Sequence, residues 1–240
     1  MKKNISVHSP LVLISDLSFT FAGSKAPAVL IQDLRLLSGS CYVLCGANGS
    51  GKSTFLQILA GKLMTKNDSV TVLGQQAFNC TSPYVCYVGE AWSADAVAFG
   101  GVRVSEILPL TASGVVPPRV ASLVSLLAVD IDAVVHKLSK GQLRRVQLVC
   151  SLGARDDFLI YLLDEVTNDL DLVVRERLMQ WLRAESEISG ASVVLATHIL
   201  QDLEDWAHGI LFFARGYVEL VNPHTLPHGI YKFVRDRLSC

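Results

Sequence analysis

The stretch CGANGSGKST, residues 45–54, constrains this chain more than any other. It follows an apolar run, CYVLC at 41–45, and precedes Ser53 to Lys62, where Phe55, Leu56, Leu59 and Ala60 fall on one helical face. The pattern G-x-x-x-x-G-K-[ST] between a strand and a helix is a phosphate-binding loop. Its glycines let backbone N–H groups curl around phosphate oxygens, and the helix that follows adds unpaired donors and a positive end. Gly46, Ala47, Asn48, Gly49, Ser50, Gly51, Lys52, Ser53 and Thr54 are therefore the candidate nucleotide-binding residues. Among them, Lys52 is placed to neutralise the β- and γ-phosphates and Ser53 to ligate Mg²⁺.

The rest of the chain alternates strand and helix. Residues 12–21 and 29–36 read as short strands, and residues 70–90 return to strand-like text. Helix and loop composition then fills about 92–137, broken by PLTASGVVPP. Near 139 a second series begins: the strand FLIYLLDE, the amphipathic helix VVRERLMQWLRAE and the strand ASVVLATH. Alternating buried strands and helices imply a parallel sheet covered on both faces, with the helical stretch forming a lobe.

Asp164 and Glu165 close the apolar run FLIYLL, 112 residues after Lys52. At the carboxyl end of a parallel strand, Asp164 would lie beside the phosphate loop and hold the Mg²⁺ shell. Glu165 is the candidate general base for an attacking water. In LSKGQLRRVQL, Ser139 and Gln142 form a capping box, and Leu143, Val146 and Cys150 continue at helical spacing. Arg144 and Arg145 read as a solvated face of that helix, or as residues near phosphate.

Half of the 240 residues are hydrophobic, 18% are charged and the net charge is −1. That balance argues against a disordered chain and against direct nucleic-acid binding. The longest apolar runs are far short of the ~20 residues that cross a bilayer. The N-terminal apolar run of four residues is too short for a signal peptide. The expected compartment is the cytosol or the nucleus. The six cysteines, Cys41, Cys45, Cys80, Cys86, Cys150 and Cys240, show no zinc spacing and read as structural.

LSKGQ resembles the signature sequence LSGGQ of ATP-binding cassette (ABC) proteins, with Lys140 in place of its first glycine. The order of phosphate loop, signature, acidic strand and His198 matches that family along nearly the whole chain. The resemblance implies an α/β P-loop NTPase with a RecA-like core, an N-terminal antiparallel β-subdomain and an inserted helical lobe at about 92–152. All of residues 1–240 would form one ABC ATPase domain. It also implies a head-to-tail dimer, of two copies or with a related ABC subunit. Each ATP would lie between one phosphate loop and the partner's Ser139, Gly141 and Gln142.

By the same resemblance, Asp171 belongs to the loop communicating across the dimer and His198 is the switch histidine near the γ-phosphate. Phe21, 25 residues before Gly46, matches the aromatic that stacks on adenine; the alternative is a core phenylalanine at a strand end. The family usually places glutamine where YVGE has Glu90, so Glu90 is a weaker metal-site candidate, with a solvated loop acid as the alternative. YVGEAW, LLDEVTNDLD and THILQDLEDW, the last read as a helix ending in Trp206, resemble the soluble ABC proteins of the yeast CCR4–NOT-associated type and the plant ABCI group. That type implies ATP binding and hydrolysis with Mg²⁺, with ATP-driven dimer closure acting on a transcription-regulatory assembly. The alternative is the energy subunit of a transporter whose membrane subunits are separate chains.

Overall fold

A computed structural model describes residues 9–65, 69–78, 82–93 and 101–239. Residues 1–8, which include most of the N-terminal stretch weighed as a signal, lie outside them, as do Cys80 and Cys240. Among the described residues one ten-stranded sheet runs through the molecule. Its strands are β1 (Pro10–Phe19), β2 (Val29–Leu37), β3 (Cys41–Gly46), β4 (Val70–Val72), β5 (Gln75–Gln76), β6 (Val85–Val88), β7 (Ile160–Asp164), β8 (Ser192–Ala196), β9 (Gly209–Ala214) and β10 (Tyr217–Val221). Their spatial order is β5-β4-β1-β2-β10-β9-β3-β8-β7-β6.

The half from β6 to β9 is parallel, and the half with β1, β2, β4 and β5 is antiparallel. The parallel strands are near-continuous apolar runs, as strands covered on both faces are. Period-two alternation sends Cys41, Val43 and Cys45 of β3 into one core and Tyr42 and Leu44 into the other. On the second face lies α1 (Lys52–Leu59), contributing Phe55, Leu56, Ile58 and Leu59.

The helix ends sooner than its apolar spacing suggests. Gly61 N–H donates to the Ile58 carbonyl and Lys62 N–H to that of Gln57, a paired capping arrangement that turns the chain out after Ala60.

Between β6 and β7 the chain forms α2 (Val104–Ile107), α3 (Pro118–Leu126) and α4 (Lys140–Gly153). Val104, Val120 and Leu123 from these helices join the first core together with Tyr161 and Leu163 of β7. After β7 comes α5 (Leu172–Ser189), and α6 (Gly229–Leu238) follows β10. Among the described residues no helix is long and apolar enough to cross a membrane.

Arg119 of α3 ties this helical segment to the sheet. Its guanidinium donates to both carboxylate oxygens of Glu185 (3.1 and 3.0 Å), to the Tyr161 hydroxyl (2.7 Å) and to the Leu152 carbonyl (2.8 Å). It also lies over the Trp181 ring at 4.8 Å. Arg119→Met would leave the mostly buried Glu185 carboxylate without its cation, still bonded to the Tyr161 hydroxyl at 2.8 Å. The expected cost is about 3 kcal/mol, the scale of breaking one partner of a buried pair, read as a fall in the urea midpoint at unchanged slope.

One expected element is absent. THILQDLEDW, residues 197–206, forms turns instead of a helix. Arg175 of α5 takes the carbonyls of Ile199 and Gln201, both at 3.3 Å, and Arg183 takes that of Trp206 at 2.6 Å. Asp202 adopts a positive φ of 59°, and the Thr197 hydroxyl accepts from the Ile199 N–H. The Ile199 and Gln201 carbonyls, which a helix would pair internally, are thus claimed by an arginine of a neighbouring element.

The four described cysteines behave as small hydrophobes. Burial pushes the thiols of Cys45 and Cys86 up to about 12 and those of Cys41 and Cys150 up to about 11, which keeps them protonated and unreactive.

Candidate functional site

The phosphate loop leaves the carboxyl end of β3 and enters α1. Gly46 has a φ of 147°, and a Cβ there would lie 2.2 Å from the Phe213 carbonyl oxygen. Gly51, with φ 111°, would meet the Ala28 carbonyl oxygen at the same distance. Both positions therefore need glycine for backbone conformation and for close approach of another backbone segment.

Ala47, Asn48 and Gly49 form the exposed crest, and Ser50 beneath them is buried. Lys52 is also buried, and its Nζ donates to the carbonyls of Gly46 and Ala47, both at 2.9 Å. The first turn of α1 carries no acidic residue and no side-chain cap, so its N–H groups are available to an anion.

Asp164 ends β7 within hydrogen-bonding reach of the Ser53 hydroxyl. Burial pushes its carboxyl above the usual carboxylate range, while Ser53, Lys52 and Arg144 pull it back. Its Oδ1 is buried and has no hydrogen-bond partner. An orphaned carboxylate oxygen beside a hydroxyl is the hard-oxygen donor set that suits Mg²⁺, an ion that shares its remaining positions with phosphate and water.

Glu165 follows in the left-handed region, φ 52°, with its N–H bonded to the Ala196 carbonyl at 3.0 Å. Its Oε2 lies 3.1 Å from His198 Nδ1, without hydrogen-bond alignment. Glu165 and His198, 33 positions apart in the chain, are thus neighbours at the ends of two adjacent parallel strands. The His198 side chain is 68% exposed, leaving it open to a ligand.

The signature residues stand at the start of α4. The capping box is present: Ser139 Oγ accepts from the Gln142 N–H at 3.3 Å, and Gln142 Oε1 accepts from the Ser139 N–H at 2.9 Å. A Cβ at Gly141 would sit 2.6 Å from the Asp169 carbonyl oxygen, so the loop after β7 packs directly on this turn.

Asp171 caps α5 by accepting from the Val174 N–H at 3.0 Å and pairs with Arg145 at 2.5 Å. Phe21 is exposed and meets Phe19 edge to face, 5.0 Å between centroids. It is not a core phenylalanine.

Glu90 is exposed, while its backbone carbonyl accepts from Gln147 Nε2 at 2.9 Å. Reading the two signature-helix arginines as solvated fails for Arg144, which is 2% exposed and held by carbonyls of Gly89 and Asp164. The sequence signal for Arg144 and Gln147 was their i, i+3 spacing among Leu143, Val146 and Leu148, on the buried side of the helix.

A groove of about 410 Å³ along α6, lined by Leu226, His228, Lys232 and Phe233 among others, contains none of the candidate residues.

The family described as ABC transporter matches residues 32–168. The chain is 40% identical over 230 residues to ABC transporter I family member 20 of Arabidopsis thaliana, covering 88% of this chain and 69% of the relative. It is 31% identical over 221 residues to CCR4-associated factor 16 of Saccharomyces cerevisiae, covering 85% and 76%. Among solved structures it is similar to a dimeric ATP-binding cassette in a post-hydrolysis state bound to ADP and Pi. There the TM-score is 0.71 at 20% identity, over 88% of this chain and 98% of the other.

Proposed function

The chain belongs to the ABC family of ATP-binding cassette ATPases, and from that membership we propose that two copies close head to tail around two ATP molecules. The observation that carries the ATP site on which this closure would act is the 3.1 Å approach of His198 to Glu165, beside the half-buried Asp164 and the phosphate loop.

In this reading residues 1–240 are one cassette with a helical lobe at about 92–152. The loop N–H groups and Lys52 hold the triphosphate, and exposed Phe21 stacks on adenine. Ser53 and Asp164 would hold Mg²⁺, with Glu90 as a weaker candidate; bound there, the ion would neutralise charge on the phosphate oxygens. Glu165 accepts the proton of the attacking water, and His198 steadies the γ-phosphate end. Ser139, Gly141 and Gln142 of the second copy complete each site. Asp171 sits between α5 and Arg145 of α4, where it links the two ends.

The two relatives of the ABCI and CCR4-associated types support a regulatory role, with closure acting on a transcription-linked protein assembly. The family's description as ABC transporter and the exposed Leu110, Val115 and Val116 beside α3 favour a second reading, docking to separate membrane subunits. Co-purification with membrane proteins from detergent extracts, and not with a soluble assembly, would select that second reading.

Complementation tests the composite site. Lys52→Ala and Ser139→Arg each disable both sites of their own homodimer. Mixed together, they form heterodimers with one intact site, so about a quarter of wild-type sites should return. Recovery of ATPase activity on mixing is expected; a mixture as inactive as its components would overturn the head-to-tail arrangement.

A further inference from the structure

Arg144 and Gln147, buried one turn into α4, form a polar network that none of the steps above uses. Arg144 Nη1 donates to the Gly89 carbonyl at 2.9 Å and to Gln147 Oε1 at 2.6 Å, and Nη2 donates to the Asp164 carbonyl at 3.2 Å. Gln147 Nε2 donates to the Glu90 carbonyl at 2.9 Å, and its Oε1 also accepts from the Trp92 N–H at 3.4 Å. Five bonds from two side chains therefore fasten three segments: α4, the 89–92 loop that follows β6, and the carboxyl end of β7.

The network is costly in isolation. The guanidinium is desolvated, its Nε finds no acceptor, and it pairs with no carboxylate directly, although Asp169 and Asp164 attract it from nearby. Apolar residues of similar volume would fill the same space without that penalty. What they could not do is fix backbone carbonyls in position, since only a planar fork with several donors addresses three acceptors at once.

We propose that Arg144 and Gln147 are a positioning pair that locks the 89–92 loop and the end of β7 to α4. The placement of Glu90 and Asp164 in one site is then set by the helix whose N-terminus serves the other. This rests on the head-to-tail reading for its second half; the locking itself is a property of one chain. Neither residue touches nucleotide in this arrangement. Both act through the backbone of Gly89, Glu90, Trp92 and Asp164.

The test uses the full chain carrying Arg144→Met, Gln147→Leu, both together, and Arg144→Lys. In the absence of nucleotide, amide exchange at residues 89–92 should rise by about tenfold or more in Arg144→Met and Gln147→Leu, while protection of β7 and β8 is kept. ATP affinity of the monomer should stay within about twofold, because the phosphate loop is untouched, while kcat falls about tenfold or more through misplacement. The double variant should be no slower than the worse single, since the two residues act as one unit. Arg144→Lys keeps the charge but loses the fork, and should remain slow.

Exchange rising throughout the sheet, defects that multiply in the double variant, or full recovery in Arg144→Lys would each overturn the proposal. Should Arg144→Met fail to fold, Gln147→Leu carries the same measurements. Wild-type protein showing neither turnover nor ATP-driven dimerisation would overturn the head-to-tail reading, whereas unchanged exchange at 89–92 would overturn the locking alone.

Discussion

Glu165→Gln protein should bind MgATP, turn it over about a hundred- to ten-thousand-fold more slowly than wild type, and accumulate as a dimer. The substitution is nearly isosteric, so the left-handed backbone at 165 and its bond to the Ala196 carbonyl should survive. The carboxylate that lies 3.1 Å from His198 is lost, and an amide does not accept a proton at neutral pH. With hydrolysis blocked, ATP stays between the two copies and holds them together, and size-exclusion chromatography with MgATP reads the shift. Turnover within threefold of wild type would remove Glu165 as the base. A monomer in saturating MgATP would remove closure as the working step.

Lys52→Ala should be comparably damaging, but earlier in the cycle. The ammonium has three N–H donors, of which two are spent on the Gly46 and Ala47 carbonyls. It thereby shapes the loop and brings a positive charge to its floor. Losing two charge-assisted bonds and the contact to phosphate is worth about 4 kcal/mol, or roughly a thousandfold in kcat/KM. Nucleotide affinity, followed by titration with a fluorescent ATP analogue, should fall together with turnover, which separates this variant from Glu165→Gln. A variant that bound ATP as wild type does would show that the helix N-terminus alone holds the phosphates.

Elements coded by neighbouring residues were legible in the chain. Ser139 and Gln142 sit three positions apart, so their capping box needed no tertiary information, and it is present. FLIYLLDE announced a buried strand with acids at its end because the apolar run and its boundary are contiguous. Where the reading failed, distant groups had intervened. Leu200, Leu203 and Ala207 are buried at helical spacing, yet Arg175 from α5 takes the Ile199 and Gln201 carbonyls that a helix there would use. Arg144 looked solvated because a lone arginine is seldom buried; carbonyl ends of two other segments made its burial tolerable.

The chain by itself determined the phosphate loop, since glycine conformation, a lysine six residues after Gly46 and a helix start are all local properties of residues 45–54. It also determined which strands are buried, because an unbroken apolar run is written in consecutive residues. Only the tertiary structure decided that Glu165 faces His198, that Asp164 has an oxygen without a partner, and that Arg144 and Gln147 bind the 89–92 loop to α4. Each of these is a distance between segments remote in sequence. Such distances are set by how the sheet orders its strands and by which polar groups are left to be satisfied when its faces are covered.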